Sequence, residues 1–377
     1  MPTRVLSGSV KVHVVDPSAY TPPYDHALCA ALARAGLDVE LFTSAFPYAP
    51  PPAPDGYARR ELFYRLARGG PSSPLRRALK LAEHVPDMAR YRIAAAAADV
   101  VHFQWLALPQ LDGPLLPRGR PLVATAHDIV VRYATPGQRA AERRLYRRFD
   151  AVIAHTESGR ARLSGELGLA GERVHVIPHG AFAHLAATPP GPLPAELVAP
   201  AGGPVVLCFG LIRPYKGLEV LLEAWRRVEG AELWVVGRPR YDIAAARAAA
   251  PARVRWAARF VDDGELAACF ARADLAVLPY LESEQSGVLA TALAFGTPVL
   301  GSDVGGFREV AAAGAARVVP PGDPELLAAA IEELLGDDAQ RARLSAGALA
   351  LARGECSWER VAERTRALYA AIASRRP

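Results

Sequence analysis

Residues 275–302, LAVLPYLESEQSGVLATALAFGTPVLGS, set the pattern of the whole chain. Leu275 to Tyr280 is a short apolar run of the kind that forms a buried strand. Gly287 to Phe295 reads as a helix with no charge along it, and "PVLGS" reads as the next strand. Between strand and helix sits a polar knot, Glu282, Ser283, Glu284, Gln285 and Ser286. Upstream the same alternation runs through "VVLCFG", helix 217–228, "ELWVVG", helix 241–249, "VRWAA" and helix 264–271; helices dominate after "PVLGS". Strands alternating with helices predict a parallel sheet covered on both faces.

The first half repeats this design. "VKVHVV" predicts a strand, Asp25 to Ala35 a helix closed by Gly36, and "VELFT" a second strand. A proline-rich loop, "FPYAPPPAPDG", is followed by a helix over 74–97 despite Pro86. Four short strands come next: "VVHFQW", "PLVATAH", "AVIAHT" and "VHVIPH". The stretch 184–204, rich in Pro, Gly and Ala and without periodicity, is expected to connect the domains. The fold class is therefore α/β, with two doubly wound Rossmann-like domains at 1–190 and 191–355 and a closing helix at 356–377.

Composition narrows the function. The 377 residues are 51% hydrophobic, enough for a large core. No apolar run has the length of a membrane span, and the start lacks a signal-peptide pattern, so a cytoplasmic location is expected. Cys29, Cys208, Cys269 and Cys356 are scattered without metal-ligand spacing and read as reduced thiols. Residues 1–190 carry 23 Arg+Lys against 16 Asp+Glu, a charge of +7, while the remainder carries 21 against 23, or −2. A basic first half suits an anionic acceptor or a membrane surface. No nucleic-acid-binding pattern of interleaved aromatic and basic residues is visible. Only Lys11, Lys80 and Lys216 stand among the 44 basic residues that are otherwise arginine.

Neither half has GxGxxG after its first strand, which argues against a dinucleotide dehydrogenase, and a Walker A motif is missing too. Chemistry in such sheets sits at the carboxyl ends of the strands. There, "CFGLIRPYKGLEVLLEAW" places Gly210 at a strand end, Arg213 and Lys216 in the loop, and Gly217 at a helix start. Two cations beside a helix start suit a diphosphate; the plain alternative is a loop with two solvated charges. Ser286, Gly287 and Val288 open the uncharged helix and would offer unbonded N–H groups to a second phosphate. "GSDVGGFRE" adds a tight Gly-Gly turn, with Glu309 either at the site or simply in a helix first turn.

Together, "GLIRPYKG", "SEQSGVLATALAFGTPV" and "GSDVGGFRE" resemble the donor-domain signatures of retaining GT-B glycosyltransferases, specifically glycosyltransferase family 4. "HFQW", "VATAHDI" and "CSWERVAERTRALY" extend the resemblance over nearly the whole chain. It implies two Rossmann-like domains facing a central cleft, and transfer of a sugar from a nucleotide-diphosphate sugar (UDP- or GDP-linked) to a hydroxyl acceptor. Configuration would be retained and no metal or other cofactor required. Arg213 and Lys216 match the basic pair on the diphosphate, Ser286 to Val288 the second phosphate cradle, and His127 the histidine near the sugar.

The chain departs from the family in two places. Of the two glutamates usually seven residues apart, the second is replaced by Thr291, which implies altered nucleotide recognition. The first falls at Ser283 by strict spacing, with Glu282 or Glu284 taking its part after a one-residue shift. The usual Gly-Gly loop after the first strand is replaced by "DPSAYTPPYDHAL". It brings Tyr24, Asp25 and His26, with Asp128 nearby, into the reading as acceptor-side candidates; Asp25 as a helix N-cap is the alternative. Arg139, Arg143 and Arg147 share a helical stripe that would be a membrane-docking face or a solvated one. A sugar phosphorylase, a nucleotide-sugar epimerase and a catalytically silent homologue acting as a binding partner are the rival functions.

Overall fold

Runs of Val, Ile and Leu buried on both faces make the central strands, as parallel sheets require. A computed structural model describes residues 9–48, 50–67, 70, 73–106, 108–128, 136–197 and 202–374. The chain forms two compact units, one of residues 1–178 and 358–377 and one of residues 179–357.

In the first unit the order is β1 (Lys11–Asp16), α1 (Pro22–Arg34), β2 (Asp38–Thr43), β3 (Ala58–Glu61), α2 (Pro74–Ala94), β4 (Val100–Phe103) and α3 (Pro109–Leu115). Then come β5 (Leu122–Thr125), α4 (Pro136–Tyr146), β6 (Ala151–Ala154), α5 (Glu157–Leu167) and β7 (Val174–Val176). The second unit holds α6 (Ala183–Ala186), β8 (Val205–Phe209), α7 (Leu218–Trp225), β9 (Glu232–Val236), α8 (Ala244–Ala248), β10 (Val254–Ala257) and α9 (Asp263–Arg272). It continues with β11 (Leu275–Leu278), α10 (Gly287–Phe295), β12 (Val299–Ser302), α11 (Gly306–Ala312), β13 (Arg317–Val319), α12 (Pro324–Gly336) and α13 (Asp338–Arg353). The last helix, α14 (Trp358–Ala373), belongs to the first unit and packs on α1.

The first sheet runs β3-β2-β1-β4-β5-β6-β7 and the second β10-β9-β8-β11-β12-β13. Every pairing is parallel. In each sheet the order reverses beside the first strand of the unit, between β1 and β4 and between β8 and β11. That is the Rossmann-like switch point, where ligands of such sheets bind.

Four sequence expectations change. Residues 179–190 belong to the second unit, so the boundary lies at 178/179 rather than 190. The expected connection at 184–204 (198–201 lie outside the described residues) is packed in part, because Leu185 and Leu197 are buried and Gly191 N–H donates to the Gly264 carbonyl. Helix α1 starts at Pro22, not Asp25: Thr21 occupies the N-cap, and Pro22, which lacks an N–H to satisfy, suits the first turn. Helix α8 is also shorter than 241–249, because the Asp242 carboxylate accepts the Ala244 N–H and starts the helix late. Strand β3 was not legible: ARRE is polar and mostly exposed at a sheet edge.

Candidate active site

The loop between β8 and α7 turns at Gly210 (φ +106°), where a Cβ would press on Val288 of α10 and lie 3.2 Å from Lys216 Nζ. Three of the expected donor-site residues thus meet at one glycine. Gly217 (φ +70°) closes the loop, and a side chain there would overlap the Pro279 carbonyl after β11. Arg213 is half-buried and has no acidic partner among the described residues. Lys216, also half-buried, donates to Tyr280 Oη at 2.9 Å, with its ammonium 4.8 Å from the centre of that ring.

Tyr280 was not among the expected site residues. It is 2% exposed and its Oη lies 3.2 Å from Ser286 Oγ. Ser286 is the N-cap of α10 and accepts from Leu289 N–H. Lys216 is therefore wired through one phenol to the start of the uncharged helix. The Gly287 and Val288 N–H groups have no acceptor within the helix and add the positive end of its dipole. A cation, a close-approach glycine and a helix N-terminus converge: this is the chemistry of a diphosphate cradle.

The bare sequence of α10 has a packing cause. Its Leu289, Ala290, Thr291, Ala292 and Leu293 are buried, with α6, α9 and α13 against it. Thr291 is 5% exposed and its hydroxyl donates to the Gly287 carbonyl at 2.9 Å. Its hydroxyl is thus engaged inside the helix, which weakens the expectation that it binds nucleotide. Glu282 and Glu309 are exposed; Glu284 is half-buried. The polar knot is held from both sides. Leu281 N–H donates to the Tyr215 carbonyl, and Gly306 N–H donates to the Glu284 carbonyl.

In the first unit, His127 is 4% exposed, stacked on Trp105 and edge-on to Tyr24. Its Nε2 lies 3.0 Å from Gln104 Oε1 and its Nδ1 3.3 Å from His155 Nε2. His155 Nδ1 donates to the Ile177 carbonyl. His102 spans Tyr369 Oη at 2.6 Å and Thr125 Oγ1 at 2.7 Å, with Gln104 Nε2 at 3.2 Å. Burial lowers the His102 pKa to about 3 and that of His155 to about 4, so both are neutral. Counting protons, a neutral His155 takes the Nδ1–H of His127. The network fixes the orientation of the His127 ring.

The loop that replaces Gly-Gly behaves differently from a phosphate loop. Asp16, at the end of β1, accepts the N–H groups of Ser18 (3.2 Å), Tyr20 (2.6 Å) and Thr21 (3.3 Å). The donors that glycines would present to a ligand are occupied by a carboxyl group. Asp25 is 1% exposed and faces Asp16; burial first, then the neighbouring acid, raises its pKa well above the usual range. The pair shares a proton. His26 is paired with Tyr57 Oη at 3.0 Å, and Asp128 is exposed. Tyr24 is 3% exposed, so the acceptor-side candidates are split between buried and accessible positions.

Comparison with known proteins decides the family. The family described as Glycosyltransferase Family 4 matches residues 24–181, and Glycosyl transferases group 1 matches residues 203–337. The D-inositol 3-phosphate glycosyltransferase 1 of Catenulispora acidiphila is 30% identical over 380 residues, spanning 89% of this chain and 87% of that protein. The chain belongs to glycosyltransferase family 4. The transferase is also 29% identical over 383 residues to the D-inositol 3-phosphate glycosyltransferase of Xylanimonas cellulosilytica, covering 93% of this chain and 91% of that one. Its fold matches the crystal structure of Anabaena HepE in complex with UDP-glucose, with a TM-score of 0.72 at 17% identity, covering 96% of this chain and 99% of that one.

In this transferase the Gly-Gly turn before α11 supports the polar knot sterically. Gly305 (φ +48°) lies against the backbone of Ser283 and Glu284, and a Cβ would fall on the Ser283 carbonyl oxygen. Gly305→Ala is expected to destabilise the second unit by about 2–4 kcal/mol, from left-handed strain plus a backbone clash. Activity should fall more than stability explains, because Glu282 and Glu284 shift with the loop. Urea unfolding and turnover measured on one preparation check this; an unchanged midpoint would refute the packing argument.

Proposed function

We propose that the chain moves a glycosyl group from a nucleoside diphosphate sugar, with a uridine or guanosine base, to a hydroxyl acceptor with retention of configuration. The observation that carries the reading is the Lys216–Tyr280–Ser286 connection, which gathers cation, close-approach Gly210 and helix N-terminus into one cradle. Arg213 and Lys216 hold the diphosphate and stabilise its charge as the bond from the anomeric carbon to the phosphate oxygen breaks. The acceptor oxygen bonds to that carbon on the same face, and the departing phosphate oxygen takes the acceptor proton. Glu282 and Glu284 serve the sugar, and Glu309 serves the nucleotide. Thr291 keeps its helix-internal bond. His127 orients sugar hydroxyls from a fixed ring. His26 and Asp128, the accessible members of the acceptor-side set, belong to acceptor recognition in the first unit, while the buried Tyr24 and Asp25 support the loop behind them. The basic pair takes the charge-neutralising part that a divalent cation has in other transferases. The reading includes a cytoplasmic site of action, where four free thiols are stable.

Incubation with a panel of UDP-, GDP-, ADP- and TDP-sugars tests the proposal through nucleotide release. Release from a UDP- or GDP-sugar alone is the expected result, with the rate changed less than about twofold by EDTA. Neither release nor direct binding of any of these donors would reject the donor assignment. A rate abolished by EDTA and restored by one metal would reject the metal-free chemistry.

A further inference from the structure

Helix α2 carries large apolar residues on both faces: Met88 and Tyr91 are buried in the core, yet others face outward. Its only acidic residues, Glu83 and Asp87, are buried with His84 and Tyr91 on its inward face. Glu83 accepts the Leu66 N–H at 3.1 Å and Asp87 the Tyr64 N–H at 2.7 Å. His84 bridges Tyr64 Oη at 2.8 Å and Asp112 Oδ1 at 2.7 Å, tying α2 to α3. The polar stripe is thus consumed by the protein's own backbone and side chains. A second apolar stripe is left outside. Leu75 is 63% exposed, Leu81 59%, Val85 45% and Ile93 78%. Exposed Ala78, Ala82 and Ala89 fill the gaps between them at helical spacing.

The face runs about 27 Å along the helix at 1.5 Å per residue. Leu66 and Leu111, 64% and 43% exposed, stand on the two segments that Glu83 and His84 tie to α2. Six of the eleven exposed large hydrophobic residues of the described chain therefore lie on α2 or on these tied segments, which a soluble face does not ordinarily show. Every ionised group of α2 that reaches solvent is a cation: Arg76, Arg77, Lys80, Arg90 and Arg92. Arg65 is exposed beside Leu66.

We propose that this face docks on an anionic lipid bilayer. An apolar stripe bordered by arginines matches an interface that offers hydrocarbon below and negative headgroups above. A second copy fits less well, because pairing α2 with itself would bring cations together without an accessible carboxylate on the helix. The stripe on α4 is a poorer candidate. Arg143 donates to the Glu166 carbonyl, and no large hydrophobic residue is exposed along residues 137–148. The proposal stands independently of the donor assignment.

Flotation of the full chain with vesicles provides the test, using phosphatidylcholine alone or mixed about two to one with phosphatidylglycerol. Binding should be at least about tenfold stronger on the anionic vesicles and should weaken with added salt. Leu81→Gln with Val85→Gln, and separately Leu75→Gln with Ile93→Gln, should each reduce binding about tenfold or more. Glutamine is a good helix former and these positions are exposed, so circular dichroism should stay unchanged. Arg143→Gln with Arg147→Gln should leave flotation intact. No flotation, flotation indifferent to both apolar pairs, or a dimer in light scattering that the pairs dissociate would each overturn the proposal.

Discussion

Lys216→Ala is expected to lower kcat/KM for the nucleotide-sugar donor by about 10²–10³-fold, the range for removing one preorganised donor aimed at developing negative charge. The expectation rests on where the ammonium sits. Lys216 is half-buried, so its field is screened less than that of a surface lysine. Its Nζ is held at 2.9 Å by Tyr280 Oη and lies beside Gly210, where the missing Cβ lets Val288 of α10 and the ammonium pack close to the loop. Tyr280→Phe keeps the cation and its contact with the ring but releases Ser286, and should cost only about tenfold through lost positioning. Lys216→Arg should recover part of the activity, since charge persists while geometry changes. Fold stability should move little in all three variants. A Lys216→Ala protein within about threefold of the parent rate would remove Lys216 from the diphosphate role.

Much of this cradle is legible in the sequence because its parts are local. Ser286 followed by Gly287 marks a helix start, and cations between a strand and a glycine mark an anion loop. The link through Tyr280 is not local: its side chain joins residues 64 positions before it and six after it. Thr291 looked like a binding residue because the family has a glutamate there. Its bond to Gly287 depends on helix geometry that a motif does not encode. Helix α2 misleads more strongly. Its apolar spacing reads as a core face, yet the partners that draw Glu83, His84 and Asp87 inward lie at Leu66, Tyr64 and Asp112. Asp25 beside two prolines resembles a cap, and only the packing of α1 against β1 shows it facing Asp16.

That carboxyl pair and the buried histidines pull the pH profile in opposite directions, and separating them gives the second large effect. His102 and His155 have folded pKa values of about 3 and 4, below the usual 6.5 because burial disfavours the charged ring. Their stabilising contribution is complete above 6.5 and is lost as pH falls toward the folded values. At pH 5 each contributes a loss of about 2 kcal/mol, or about 4 together, equivalent to a Tm drop of roughly 10 °C for a unit of this size. His13 adds in the same direction, offset in part by Glu40 beside it. Asp16 and Asp25 are raised by burial, so their contribution is present at low pH and is lost as pH rises. Wild-type protein should therefore show a muted acid response. In Asp25→Asn the amide can donate to an ionised Asp16, removing the shared proton. This variant should be more stable than the parent at pH 8 and should lose the full 4 kcal/mol or so between pH 7 and 5. Urea unfolding of both chains across this range measures it. Parallel curves would show that the carboxyl pair shares no proton, and a flat curve for the variant would show that the histidines are already charged when folded.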